Sequence, residues 1–403
     1  MTKSRVAHKH KNAAQGGTKG ASVPVGTKAV IDEAGIADLL SILAKIGYTP
    51  IGPKLRDGAI VYEEISALDD FPVGMSDEQE GGKYRVVPGT KGSFFEYVVG
   101  PTSWKHFLFP PKHKIWSGEK DGDGFKSTYK EEKIPSYAFI GVRSCELEAI
   151  KIQDKVFGFG REDDCKKGIF SDPGYVARRS KALIVAVNCS RAASTCFCTS
   201  MGGDPHVKEG QGFDLALTEL SVSPKHEFLV EVGSEPGALI FDLLPHRAVR
   251  NSDTVAVLSQ ASKARSDIKR RMIPKVKDVL QRNLDSVRWD DVAERCMSCA
   301  NCTLVCPTCF CSTVEETTDL TGDHAERWRS WDSCFSTDFS YIHGGAIRTE
   351  GKSRYRQWIT HKLANWHDQY GSSGCVGCGR CITWCPVGID ITKEAKAIKD
   401  SEK

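Results

Sequence analysis

Two twelve-residue stretches of the chain share one frame. Residues 296–307 read C-M-S-C-A-N-C-T-L-V-C-P, and residues 375–386 read C-V-G-C-G-R-C-I-T-W-C-P. The frame C-x2-C-x2-C-x3-C-P is the ligand run of a bacterial-type 4Fe–4S cluster. A fold carrying two copies must bring them together, because the fourth Cys of each run ligates the other cluster. The spacing therefore predicts one cluster on Cys296, Cys299, Cys302 and Cys385, and a second on Cys375, Cys378, Cys381 and Cys306. The Pro after each fourth Cys turns the chain away from the cluster. Structural zinc usually takes two separated C-x2-C pairs, four ligands in total, and a duplicated four-Cys run fits it poorly. The pattern implies one-electron chemistry.

With 403 residues the chain can hold two or three domains with proper cores. At 40% hydrophobic and 27% charged residues its composition is that of a globular protein. No run of eighteen apolar residues occurs, so no membrane span is expected. Neither an apolar secretory segment nor a twin-arginine pair stands at the N-terminus. Cysteines that hold iron must stay reduced, and the expected location is the cytoplasm. Residues 1–28 contain six Lys or Arg and no acid, leaving 49 basic against 52 acidic side chains in the rest. They read as a disordered basic tail. The body lacks the basic and aromatic patches of a nucleic-acid binder, so no nucleic-acid partner is expected.

Order is expected from near Ile31, with Asp32 capping a helix through Ile36, Leu39, Leu43 and Ile46 that stops at Gly47. Ala59–Ile65 and Phe94–Val99 read as strands, with Asp69–Gly82 as a loop between them. Residues 117–133 read as an exposed hairpin or loop. Tyr137–Val142 and Leu183–Val187 read as buried strands, the first followed by a helix over Glu146–Val156. Further strands are expected at Glu227–Val232 and Ala238–Leu243, and a basic amphipathic helix at Lys263–Leu284. Residues 307–374, between the two Cys runs, are longer than a compact ferredoxin needs and include a helix at Arg354–Tyr370. The expected class is α+β: an N-terminal α/β-like domain over 29–260, then a helical dicluster ferredoxin-like domain over 261–403.

Eight cysteines lie outside the tandem runs. Cys145 and Cys189 follow the two buried strands, at the sheet edge where ligands collect in open α/β folds. Cys196 and Cys198 belong to a T-C-F-C segment that recurs at 308–311. Cys145, Cys189, Cys196 and Cys198 are the expected ligands of a third 4Fe–4S cluster, against the alternative of buried free thiols. Cys309, Cys311 and Cys334 read as packing or supporting residues, and Cys165 as a surface thiol. No G-x-G-x-x-G after a strand, P-loop, G-x-S-x-G or H-E-x-x-H occurs, so no nucleotide, flavin or hydrolytic site is expected and no residue is assigned a catalytic role.

F-I-G-V-R-S-C-E-L-E-A-I (139–150), N-C (188–189), T-C-F-C-T-S-M-G (195–202), C-P-T-C-F-C (306–311), W-D-S-C (331–334) and the second Cys run appear together and in order. This set resembles the iron–sulfur β subunit of soluble NiFe hydrogenases of the sulfhydrogenase type, a family that also includes the electron-transfer subunit of anaerobic sulfite reductase. The resemblance spans roughly residues 30–395. It implies a non-catalytic electron-transfer subunit working beside a flavin- and NAD(P)-binding, diaphorase-like subunit. The other partners would be a small iron–sulfur subunit and the NiFe large subunit, or a sirohaem subunit in the sulfite reductase case. One departure is Glu146, which stands where Asp would be expected.

Overall fold

The computed structural model describes residues 23–130, 133–161, 170–220 and 225–402. Most of the basic tail and Cys165 lie outside the described residues. Regular structure begins at Lys28, earlier than the sequence suggests, where the strand Lys28–Asp32 enters the main sheet.

That sheet has eight strands. Their order is Arg247–Ala248, Lys28–Asp32, Glu227–Val232, Leu215–Glu219, Leu183–Val187, Tyr137–Val142, Thr49–Arg56 and Ala59–Glu64. Thr49–Arg56, Tyr137–Val142, Leu183–Val187 and Leu215–Glu219 run parallel, and the flanking pairs are antiparallel. Tyr137–Val142 and Leu183–Val187, at the centre of the sheet, are apolar on both faces because both faces are covered. Helices Glu33–Lys45 and Glu235–Phe241 cover one face through Ile36, Leu39, Leu43, Ala238 and Phe241. Helix Ser144–Val156 covers the other, placing Leu147 and Ile150 against Phe139 and Ile184. Each such side chain contributes roughly 1.5–3 kcal/mol on full burial. Asp32 caps its helix as expected, accepting from the Gly35 amide at 3.1 Å.

Four local expectations fail for identifiable reasons. Phe94–Val99 is buried but forms no strand. The Phe94 and Phe95 amides donate to the Glu219 carboxylate at 2.7 and 2.9 Å, and the Val98 amide to Asp77 at 2.6 Å, so side chains replace a ladder. Ala238–Leu243 is the end of helix Glu235–Phe241 and the turn after it, and Ser234 caps that helix with Pro236 in the first turn. The acidic loop expected at Asp69–Gly82 holds the strand Met75–Glu80, paired with Lys83–Pro88. The long basic helix is two helices, Asn251–Asp267 and Val276–Arg282. Pro274 interrupts it, and Lys275 takes a left-handed φ of 54°.

The C-terminal region packs around Leu280, Trp289, Tyr355, Ile359, Leu363 and Ile382. Helical structure runs from Gly351 to Tyr370 with a π-helical turn at His361–Asn365. The region is not wholly helical. Within the long segment between the Cys runs, Ser312–Thr318 and His324–Trp331 form a hairpin that joins Lys112–Asp121 and Gly124–Ser127 in a four-stranded sheet. The two halves thus interlock, and residue 260 lies inside helix Asn251–Asp267 rather than at a break. Among the described residues no helix is long and apolar enough to cross a membrane.

Candidate metal centres

The repeated frame repeats its backbone. Ser298 and Ala300 in the first run take φ of 51° and 67°, and Gly377 and Gly379 at the same positions of the second take 69° and 81°. Each run then enters a one-turn helix, Asn301–Leu304 or Arg380–Thr383. Left-handed backbone alone does not require glycine in the second run, since Ser and Ala serve in the first. Close approach does. A Cβ on Gly377 would stand 2.7 Å from Cys198 Cα, and one on Gly379 2.5 Å from the Thr195 carbonyl oxygen. The T-C-F-C segment lies directly on the second run, and the Phe197 amide donates to the Gly377 carbonyl at 2.8 Å.

The cysteines gather around separate centres. Cys296, Cys299, Cys302 and Cys385 line one cavity, walled by Tyr355, Trp358 and Ile389, with Cys381 also on its lining. Cys299 is exposed there. Cys306 faces Cys375, Cys378 and Cys381. Burial pushes the Cys375 thiol up to about 12 and raises Cys378 and Cys381, and proximity to Cys306 adds to the rise in all three. A further cavity is lined by Cys145, Cys189, Cys196 and Cys198 and closed by Val98, Ile268 and Cys378. Burial again raises these thiols, Cys198 to about 12. Four distant segments thus meet, and Cys378 stands between the last two groups.

Four buried cations surround these thiols. Lys362, 3% exposed, extends from the π-helical turn and donates to Cys306 Sγ at 3.3 Å and to Thr308 Oγ1 at 3.2 Å. Burial works against its charge, but Cys306 and Cys309 outweigh it and hold the ammonium well above its usual range. Arg143 donates to the Asn188, Phe95 and Tyr97 carbonyls. Its buried Nε has no hydrogen-bond partner, and the group faces Cys189. Arg380 pairs with Glu146 at 2.6 Å and leaves buried Nη1 without a partner beside Cys378. Glu146 also accepts from Tyr62 Oη and Trp104 Nε1, at 2.9 and 3.1 Å. Burial pushes Lys105 down to about 8. Of these groups, R-S-C-E around Cys145 and G-R-C around Cys381 were visible as neighbours of cysteine. Nothing in the sequence marks Lys105 or Lys362.

Among the described residues no three thiols, imidazoles or carboxylates converge on a point suited to a single metal ion. A cubane differs in that its own iron and sulfide fill the space between thiolates, so thiols set around a cavity suit it. Orphaned guanidinium nitrogens beside neutral thiols are costly, and an anionic cluster would satisfy them. Both observations fit iron–sulfur ligation. Cys309, Cys311 and Cys334, read from sequence as packing residues, also lie together. Cys311 and Cys334 are within hydrogen-bonding reach, as are Cys306 and Cys309.

Residues 295–389 match the family model described as the 4Fe-4S dicluster domain. The chain is therefore a dicluster iron–sulfur protein with two 4Fe–4S clusters, and its role is electron transfer. The sulfhydrogenase 2 subunit beta of Pyrococcus furiosus is 31% identical over 365 residues, covering 87% of this chain and 92% of that one. The chain belongs to this family of hydrogenase iron–sulfur β subunits. No solved structure matches it.

Proposed function

We propose that the chain relays electrons within a cytoplasmic NiFe hydrogenase complex. It would connect a flavin- and NAD(P)-binding, diaphorase-like subunit with a module made of a small iron–sulfur subunit and the NiFe large subunit. Three 4Fe–4S clusters would serve it. The ligand sets are Cys296, Cys299, Cys302 and Cys385; Cys375, Cys378, Cys381 and Cys306; and Cys145, Cys189, Cys196 and Cys198. The observation that carries this reading is that these sets share walls. Cys381 lines the cavity of the first set and Cys378 that of the third. Each cluster supplies a one-electron centre when bound. The protein's part is to hold the thiolates, exclude water with Trp358, Tyr355, Val98 and Ile268, and offset charge with Arg143, Arg380 and Lys362. Exposed Cys299, flanked by Met297 at 66% exposure, marks the first set as the one nearest a partner surface.

The test is anaerobic purification of the chain from its own host with assay of hydrogen-dependent viologen reduction. Activity with a NiFe large subunit in the eluate supports the reading, and a sirohaem partner without activity overturns it. Replacing Cys196 and Cys198 by Ser should remove about four irons per chain, and an unchanged iron count would reject the third cluster.

A further inference from the structure

Two cysteines outside the three ligand sets meet at the base of the hairpin between the Cys runs. Ser312 pairs with Trp331 there, and the Asp332 amide donates to the Cys311 carbonyl at 2.9 Å. This register sets the Cys311 thiol against that of Cys334, within hydrogen-bonding reach. Both thiols are free. The far segment is held in place as well: Arg354 reaches the Cys334 carbonyl at 3.5 Å, and the Ser333 hydroxyl bonds Thr303 Oγ1 at 2.7 Å. Sulfurs already in contact across two held segments can bond without moving the backbone far.

The two thiols differ in access and in charge. Cys311 is partly exposed, while Cys334 is 9% exposed. The Cys334 thiol donates to Cys311 and holds Cys311 down to about 7, with Lys362 and Lys105 helping against the effect of burial. The same contact raises Cys334. Lys105 is anchored on the Cys309 carbonyl and Lys362 on Thr308 Oγ1, both at 3.2 Å, so both positive charges are fixed to the chain just before Cys311. An attacking thiol works best when it ionises near ambient pH, and a redox-sensing thiol has a resolving cysteine beside it. Cys306 and Cys309 also touch, but both are buried, which leaves Cys311 as the reachable thiol of these four.

We propose that Cys311 and Cys334 form a redox-active dithiol that exchanges with low-molecular-weight disulfides, Cys311 attacking and Cys334 resolving. The Cys311 thiolate attacks one sulfur of the small disulfide, a mixed disulfide forms on Cys311, and one small thiolate leaves. The negative charge that raised Cys334 is then gone, so Cys334 can ionise. It attacks the Cys311 sulfur, the Cys311–Cys334 bond forms, and the second small thiolate leaves. Two protein thiols are oxidised and one small disulfide is reduced, and the leaving thiolates take up the protons that the protein gives up. Closing the bond removes the negative charge of Cys311 from beside Lys362 and Lys105. Both ammonium groups then act undiminished on the tandem-run cluster next to Lys362, whose reduced form gains stability, so its potential rises. The exchange needs only the two thiols; this consequence for the cluster rests on the ligand set containing Cys306.

The test uses the full chain purified without oxygen and equilibrated with glutathione mixtures of rising disulfide content. Remaining thiols are then alkylated and each cysteine is read by peptide mass spectrometry, with iron and acid-labile sulfide counted alongside. Cys311 and Cys334 should lose alkylation together in one two-electron transition, as a single Cys311–Cys334 cross-link, while the iron count holds. Cys334→Ser should accumulate a glutathione mixed disulfide on Cys311, and Cys311→Ser should leave Cys334 alkylated throughout. Should either variant fail to fold, the titration of the unaltered chain decides. Alkylation of both thiols in every mixture, a glutathione adduct on Cys334 ahead of Cys311, or iron lost in step with the two thiols would each overturn the proposal. A cluster potential that stays put when the cross-link closes would overturn its coupling to the cluster.

Discussion

Replacing Lys362 by Met removes one buried positive charge while keeping a side chain of similar length. The ammonium lies 3.3 Å from Cys306 Sγ. At that distance, with an effective dielectric constant of about 20, a full unit charge on the sulfur would interact by about 5 kcal/mol. An electron added on reduction spreads over the whole cluster, so a little under half of this, about 2 kcal/mol, is the share that changes with redox state. For a one-electron couple this equals about 80 mV, since 59 mV corresponds to about 1.4 kcal/mol. The sign follows from the charge. Without the ammonium the reduced form loses stabilisation, and the potential of the cluster ligated by Cys306 should fall by about 80 mV. The assay is a potentiometric titration followed by electron paramagnetic resonance, on a variant whose iron content matches that of the unaltered chain. A potential within about 20 mV of the original, with that iron content, would refute the claim that Lys362 sets it.

Gly377→Ala should be severe. Its Cβ would meet Cys198 and Phe197 backbone atoms at 2.7 Å in a left-handed residue, and the loss should be about 2–4 kcal/mol, read by thermal unfolding. Glu146→Ala leaves the Arg380 guanidinium buried without its carboxylate, so unfolding should shift by about 3–5 kcal/mol. A shift below about 1 kcal/mol would show that another group compensates Arg380. Burial pushes His206 down to about 4, with Arg265 adding to the effect. The folded chain therefore holds this imidazole neutral where the unfolded chain protonates it. Stability should fall with pH from about 6.5 toward about 4, by at most about 1.4 kcal/mol per pH unit, and His206→Gln should flatten that slope. Cys385→Ser should damage the cluster held mainly by the first run. Normal spectra for both tandem-run clusters would show the ligand exchange between runs to be wrong.

The parts of the fold that could be read in advance were those with a local cause. Asp32 and Gly47 bound a helix by capping and stopping it. Tyr137–Val142 and Leu183–Val187 are apolar throughout because both faces of a parallel sheet are covered. Failures occurred where tertiary partners overrode local preference. Phe94–Val99 has the composition of a strand, yet Glu219 and Asp77 take its amides. The hairpin Ser312–Thr318/His324–Trp331 finds its sheet partner at Lys112–Asp121, some two hundred residues earlier in the chain.

The candidate sites divide along the same line. Ligand spacing is a local property, because thiolates two or three residues apart must meet one cluster. The sequence by itself therefore determined the tandem-run chemistry, and the pairing of the runs proposed above rests on it. The expected grouping of Cys145, Cys189, Cys196 and Cys198 rested on two of them following neighbouring strands. Only the tertiary structure decided which charges surround the thiols. Lys105, Lys362, Arg143 and Arg380 are set by burial and long-range packing, and a lysine destined for the interior looks no different in sequence from one on the surface. The tertiary structure also decided why Gly377 and Gly379 must be glycine, since the constraint is the approach of another segment rather than their own backbone. The meeting of Cys309, Cys311 and Cys334 likewise depends on a hairpin register that is fixed only when the two halves of the chain fold together.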